Sequence, residues 1–243
     1  MKLKRIFAAV LAAAMLLSFA GCANKDTQGD SSEPAGEQTT EERTTEPQTN
    51  EDGSLVKPKN AVSVSDDVKI KTYSGTSLIE IGNRVMEPYG NAYKNMKAYA
   101  DALNRLKAEM PNTKAYCLMA PTAIEFYAPN KYNAGVSKSQ YEGMCYIYEQ
   151  LKDITPVNAY AEMAAHTDEY LYFRSDHHWT TLGAYYAYRT FAKVAGFTPV
   201  DKNTLRTGKL SPFLGLFYKD TKSTALSNDP DYVEYFIPPV NTT

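Results

Sequence analysis

Between residues 91 and 196, short apolar runs alternate with stretches whose apolar residues recur every three or four positions. That alternation narrows the folds open to the chain more than any other feature. Ala92, Met96, Tyr99, Leu103, Leu106 and Met110 share one face of a helix over 91–110, which Pro111-Asn112 stops. Ala115 to Ala120, closed by Pro121, suits a buried strand. Ser137 is placed to cap a helix running to about Leu151. Ile154 to Val157 reads as the next strand, Ala159 to Ala165 as a short helix, and Tyr170 to Phe173 as a third strand. Ala184, Ala187, Tyr188, Phe191, Ala192 and Ala195 then form an apolar stripe ended by Gly196. Strands separated by helices imply βαβ units, hence an α/β fold with a mostly parallel sheet. Ligand sites in such sheets collect at the carboxyl ends of the strands. Three segments are therefore expected on one rim: Pro121-Thr122, Asn158, and Arg174 to His178.

The last of these is Arg174-Ser175-Asp176-His177-His178-Trp179-Thr180, which holds two of the three histidines and the single tryptophan. A neutral imidazole accepts a proton near neutrality, and a carboxylate beside it fixes its tautomer and stabilises the cation that forms. Asp176 and His178 are the candidate catalytic pair. The competing reading is a helix-capping Asp beside a packed His. His177, Trp179 and Arg174 are candidates for the pocket or for substrate contact, Trp179 by stacking on a sugar ring and Arg174 by meeting an acidic or acyl group. A metal held by both histidines needs further ligands, and no ligand-spaced partners are found, so neither a metal nor a cofactor is expected. His166 falls at a helix end and reads as structural.

The stretch Tyr172-Phe173-Arg174-Ser175-Asp176-His177-His178-Trp179-Thr180, continuing into Leu182-Gly183-Ala184-Tyr185-Tyr186, resembles the DHHW family. That family in turn resembles the SGNH-hydrolase-like proteins of alginate O-acetylation, which carry Asp-x-His-Trp. The likeness runs over residues 73–235 and includes Leu210-Ser211-Pro212-Phe213-Leu214-Gly215. It implies an SGNH-like, flavodoxin-like three-layer sandwich, with Asp176 as the orienting carboxylate, His178 as the base and His177 at the variable position. It also implies acyl transfer, acetyl in kind, or ester hydrolysis on a surface polysaccharide. In such proteins the serine nucleophile follows in a later Gly-Asp-Ser segment. Gly75-Thr76-Ser77 precedes its strand Leu78–Ile81, whereas a nucleophile elbow follows one. Ser175 adjoins Asp176 too closely for in-line delivery to His178, and Ser211 lacks the Gly-Asp context. The resemblance therefore implies a domain incomplete at its C-terminus. The rival function is a non-catalytic carbohydrate-binding or cell-envelope protein that keeps the motif loop.

Residues 1–22 read as an export signal: Met-Lys-Leu-Lys-Arg, an apolar run from Ile6 to Ala20 too short to span a bilayer comfortably, and Ala20-Gly21-Cys22 as a lipoprotein cleavage site. Cys22 is the expected lipidation site, with Phe19 where Leu is usual. The expected location is extracytoplasmic, held at the cell membrane by lipid. Residues 23–60 are rich in Thr, Glu, Ser, Gln and Asn and nearly free of large apolar residues, the composition of a disordered acidic tether. Residues 61–243 remain for one domain with its own core. The net charge of −2 and the absence of a basic stripe argue against nucleic acid as a partner. The 19 tyrosines suit sugar contact and a tyrosine-rich core equally. Cys117 and Cys145 sit in apolar runs and read as buried thiols or as one disulfide.

Overall fold

The computed structural model describes residues 62–238, apart from residue 136. The expected signal with Cys22, the expected tether and Asn241-Thr242-Thr243 lie outside the described residues. The first sheet is an antiparallel meander of β1 (Ile70–Thr72), β2 (Ile79–Ile81) and β3 (Arg84–Met86). Gly82, at φ 60, opens the two-residue turn between β2 and β3. A glycine at the first turn position lets the hairpin twist match that of its strands.

The layered part follows. α1 (Tyr93–Glu109) leads to β4 (Ala115–Leu118). After α2 (Ala123–Tyr127), α3 (Asn130–Gly135) and α4 (Gln140–Gln150), the chain returns as β5 (Ile154–Val157). β4 and β5 are parallel, Ala115 opposite Ile154 and Leu118 opposite Val157. α5 (Tyr160–Ala164) and α6 (Thr181–Ala195) come next. Tyr116 of β4 meets Phe191 of α6 edge-on, with ring centroids 5.3 Å apart. Its neighbour Cys117 lines a cavity together with Tyr99 of α1. Successive strand side chains point to opposite faces, so α1 and α6 cover opposite faces of the pair, giving helix, sheet and helix. The class is α/β, as expected.

Three sequence expectations shift for local reasons. α4 is capped by Ser139, whose side chain accepts from Glu142 N, and not by Ser137. Ser137 is buried and its Oγ accepts from Tyr89 N at 3.1 Å. Tyr170 to Phe173 is not a third parallel strand; it forms one antiparallel bridge, Tyr172 to Trp179. Its backbone is taken elsewhere: Leu171 O accepts from Thr180 N, Phe173 N donates to His178 O, and Arg84 Nη1 donates to the carbonyls of Tyr172 and Phe173. Among the described residues β4–β5 is the one parallel pair, so the sheets are mostly antiparallel. The chain after α6 forms a ribbon the sequence did not reveal: β6 (Arg206–Phe213) pairs antiparallel with β7 (Asp231–Ile237), with α7 (Leu216–Thr221) and α8 (Thr224–Asn228) between them.

The main core joins Ile79 and Met86 of the meander to Ile124, Phe126, Ala159, Met163, Leu171, Tyr172, Tyr186 and Ala187. The tyrosines here are core residues with satisfied hydroxyls: Tyr172 OH donates to Pro121 O at 2.6 Å, and Tyr127 OH to Thr167 O at 3.0 Å. Cys117 and Cys145 are free thiols. Among the described residues no helix is long and apolar enough to cross a membrane.

Candidate functional site

The motif occupies a loop closed on itself. Phe173 N donates to His178 O at 3.2 Å, and the Tyr172–Trp179 bridge stands behind it. Thr180 then starts α6: its side chain accepts from Gly183 N while its hydroxyl donates to Tyr170 O at 2.6 Å. Gly183 is required here, since any Cβ would collide with Leu171 O. The loop is thus fixed at both ends before its functional side chains are considered.

Asp176 Oδ1 lies 2.7 Å from His178 Nδ1 and also accepts from His178 N at 3.1 Å. Oδ2 accepts from Leu216 N, the first helical N–H of α7, at 2.9 Å. Burial pushes the Asp176 carboxyl up, but these N–H groups and the His178 ring outweigh it and hold it below the usual carboxylate range. With Nδ1 facing the carboxylate, Nε2 of His178 faces away, on a side chain 65% exposed. An imidazole held as the Nδ1–H tautomer presents Nε2 as a proton acceptor.

His177 takes a different direction. Its ring sits 3.9 Å from that of His178, centroid to centroid, and its Nδ1 is 3.6 Å from Asp176 Oδ1. It also lines a cavity of about 260 Å³, together with Met86, Tyr89, Thr122, Ile124 and Phe217. Thr122, beyond the carboxyl end of β4, therefore shares a cavity with His177, while Asp176 and His178 are not among its lining residues. Asn158 instead serves its own segment, accepting from Tyr160 N at 3.2 Å. Asp176, His177 and His178 also form a cluster of ligand-type atoms within 4.8 Å of one another. The hydrogen-bond spacing of Asp176 and His178, with Oδ2 taken by Leu216 N, fits a shared proton. Among the described residues no fourth ligand joins the three.

Two expected pocket residues lie elsewhere. The guanidinium of Arg174 is bonded to Asp229, to Asp231 Oδ1 at 3.0 Å and to Pro230 O at 3.1 Å, so it holds the loop to the start of β7 instead of facing the cavity. Trp179 is packed against the main core and is absent from the cavity wall. Ser175 is buried, and its hydroxyl donates to Asp231 Oδ2 at 2.5 Å while accepting from Gly215 N at 2.9 Å. It has no proton to offer His178. Among the described residues no serine hydroxyl is bonded to His178. His166 is structural in its contacts, 2.6 Å from Glu169 Oε1 and stacked on Tyr186. Sequence reading missed Asp231 and Gly215. An Asp at the head of a strand and a Gly before a helix carry no local mark of a contact made some 40 to 55 positions away.

Comparison with known proteins gives the chain relatives. A solved DHHW family protein from Eubacterium siraeum is similar at 31% identity and a TM-score of 0.64, over 70% of this chain and 57% of that one. The chain thus spans little more than half the length of that relative. Bacillus cereus PatB1, solved with a sulfonyl adduct, is similar at 15% identity and a TM-score of 0.49, covering 71% of this chain and 58% of that one. The O-acetyltransferase domain of Pseudomonas putida AlgJ is similar at 14% identity and 0.45, covering 71% and 66%. No curated protein matches. A family model described as DHHW protein matches residues 46–243, the span that contains the Asp176-His177-His178-Trp179 tetrad, and the chain belongs to the DHHW family.

Proposed function

We propose that this is an exported lipoprotein of the cell envelope, anchored through Cys22, whose domain transfers or hydrolyses an acyl group, acetyl by resemblance, on a surface polysaccharide. The observation that carries the chemistry is the 2.7 Å contact between Asp176 Oδ1 and His178 Nδ1, on a histidine whose side chain is largely exposed. In this reading an attacking hydroxyl gives its proton to His178 Nε2 as its oxygen bonds to the acyl carbon. Asp176 holds the Nδ1–H tautomer and stabilises the imidazolium. The bond from the acyl carbon to the leaving oxygen then breaks, and Nε2 returns the proton to that oxygen. The cavity beside His177 is large enough for a single sugar-sized unit or a short acyl group. The described residues do not supply the attacking hydroxyl.

The test is hydrolysis of a small acetyl ester by the protein expressed from its own gene, compared with His178→Ala and His177→Ala. General-base loss costs about 10²- to 10⁴-fold in rate. His178→Ala is expected to fall in that range, and His177→Ala to fall much less. Equal rates for wild type and His178→Ala sink the catalytic reading. For the anchor, Cys22→Ala should move the protein out of the detergent phase. If the variant partitions as the wild type does, the lipid is not on Cys22.

A second reading, a non-catalytic carbohydrate-binding or envelope protein, is favoured by two contacts. Asp176 already has a structural duty toward Leu216 N, and Ser175 is closed off by Asp231. A wild-type protein that binds polysaccharide and hydrolyses no ester would select it.

A further inference from the structure

Asp231 begins β7, some 55 positions from the motif, and is 1% exposed. Its two oxygens accept from three residues of the preceding half of the loop, Tyr170, Arg174 and Ser175. Oδ1 accepts from Tyr170 OH, Arg174 N and Arg174 Nε; Oδ2 accepts from Arg174 N, Ser175 N and Ser175 Oγ. The Ser175 hydroxyl passes the hold onward by accepting from Gly215 N, and Ser175 O accepts from Tyr218 N at 3.3 Å. These bonds seat the first turn of α7 against the loop. That turn supplies Leu216 N to Asp176 Oδ2. Gly215 lies so close to Asp176 that a Cβ there would stand 2.5 Å from Oδ2. A continuous path of hydrogen bonds therefore runs from Asp231 through Ser175 and the α7 turn to the Asp176 carboxylate.

We infer that Asp231 is the positioning residue of the Asp176–His178 pair, acting through Ser175 and the α7 turn to aim Asp176 Oδ1 at His178 Nδ1. The loop then contains two carboxylates with separate tasks. Asp231 holds Tyr170, Arg174 and Ser175, whereas Asp176 holds the His178 ring, with His178 N and Leu216 N fixing the carboxylate. The division explains why Ser175, next to the candidate dyad, is buried with its hydroxyl turned away. Its catalytic meaning rests on the acid–base reading of Asp176 and His178, whereas the geometry it asserts does not.

Asp231→Asn keeps the shape but places an NH₂ where either oxygen meets three donors. A donor facing donors leaves them unsatisfied, which is costly in a buried site. The readout is the tautomer of His178, taken from long-range ¹H–¹⁵N spectra of the full chain in mildly alkaline buffer, with His178→Gln to assign the signals. Wild type is expected to hold mostly the Nδ1–H form. Asp231→Asn is expected to shift His178 to mostly the Nε2–H form while its circular dichroism remains native. Ser175→Ala, which keeps Asp231 on Arg174 and Tyr170, should shift it part of the way. Asp101→Asn, on the exposed face of α1, should leave it unchanged. A folded Asp231→Asn protein that retains the Nδ1–H form overturns the inference. If Asp231→Asn does not fold, an unchanged tautomer in Ser175→Ala overturns it instead. A wild-type protein that shows the tautomer response but no ester hydrolysis keeps the positioning role and removes the acyl-transfer reading.

Discussion

Across the α1–α4 contact, Met96, Ala100 and Ile147 close on one another through apolar burial. Across the loop from Tyr170 to Thr180, Asp231, Ser175 and Asp176 close on one another through hydrogen bonds. Apolar burial is graded: each lost methylene removes about 0.8 kcal/mol, and neighbours relax toward the gap. A buried polar clamp is not graded, because removing one acceptor leaves several donors without partners. The layers should therefore lose stability without moving the site, and the loop should lose the site with less stability at stake.

The largest stability effect should come from the layers. Ile147→Ala in α4, a residue 4% exposed, is expected to cost about 2–5 kcal/mol in denaturant unfolding. The His178 tautomer should stay as in wild type. A changed tautomer in this variant would break the separation between the two regions.

Gly215→Ala approaches from the other side. Its φ is −85, so backbone strain is not the issue; the new methyl meets the Asp176 carboxylate. Overpacking of this kind costs about 1–3 kcal/mol. The expected signature is a displaced Asp176, read as loss of the His178 Nδ1–H form and of any esterase rate, out of proportion to the fall in stability. Loss of stability alone, with the tautomer intact, would place the rigidity of the site elsewhere.

These contrasts also explain what could be read from the chain. α1, β4, β5, α5 and α6 rest on apolar periodicity, and the expected spans differ from the observed ones by a few residues at their ends. Asp176 and His178 were visible because both lie within the tetrad. Nothing local marks Arg174 as a clamp, since its partners Asp229 and Asp231 are far along the chain. Trp179 beside a helix start reads the same whether it faces a pocket or a core. The β6–β7 ribbon hid because Gly208, Lys209 and Pro212 interrupt any alternation in β6. The failed third strand is the sharpest case. Tyr170 to Phe173 has strand composition, yet its carbonyls are bonded to Arg84 and Thr180 and not to β5.

Acid should act on the polar loop through its two buried carboxyls. Asp176 and Asp231 are both held below their ordinary value of 3.8; burial opposes this, and the bonds from Leu216, His178, Ser175 and Tyr170 outweigh it. A carboxyl lowered in the folded state contributes stability that is fully present above 3.8 and lost as pH falls through the lower folded value. The contribution of these two carboxyls to unfolding free energy should be steady above 3.8 and decline below it. Asp176→Asn should flatten part of the decline. An equal slope in the variant would show that Asp176 contributes none of it.

The smallest effect belongs to the residue that joins the regions. Thr180 ends the loop and caps α6. Its Oγ1 accepts from Gly183 N at 3.3 Å, its hydroxyl donates to Tyr170 O, and its own N–H donates to Leu171 O at 2.8 Å. Thr180→Ala removes the cap and the hydroxyl donor but keeps the backbone bond, so the loss should be about 1 kcal/mol. Thr180→Ser keeps all three bonds and should restore most of that loss. Because the backbone bond to Leu171 survives in both, neither variant should change the His178 tautomer. If Thr180→Ala changes it, the helix cap belongs to the same polar assembly as Asp231. The boundary between the two regions would then move from Thr180 into the first turn of α6.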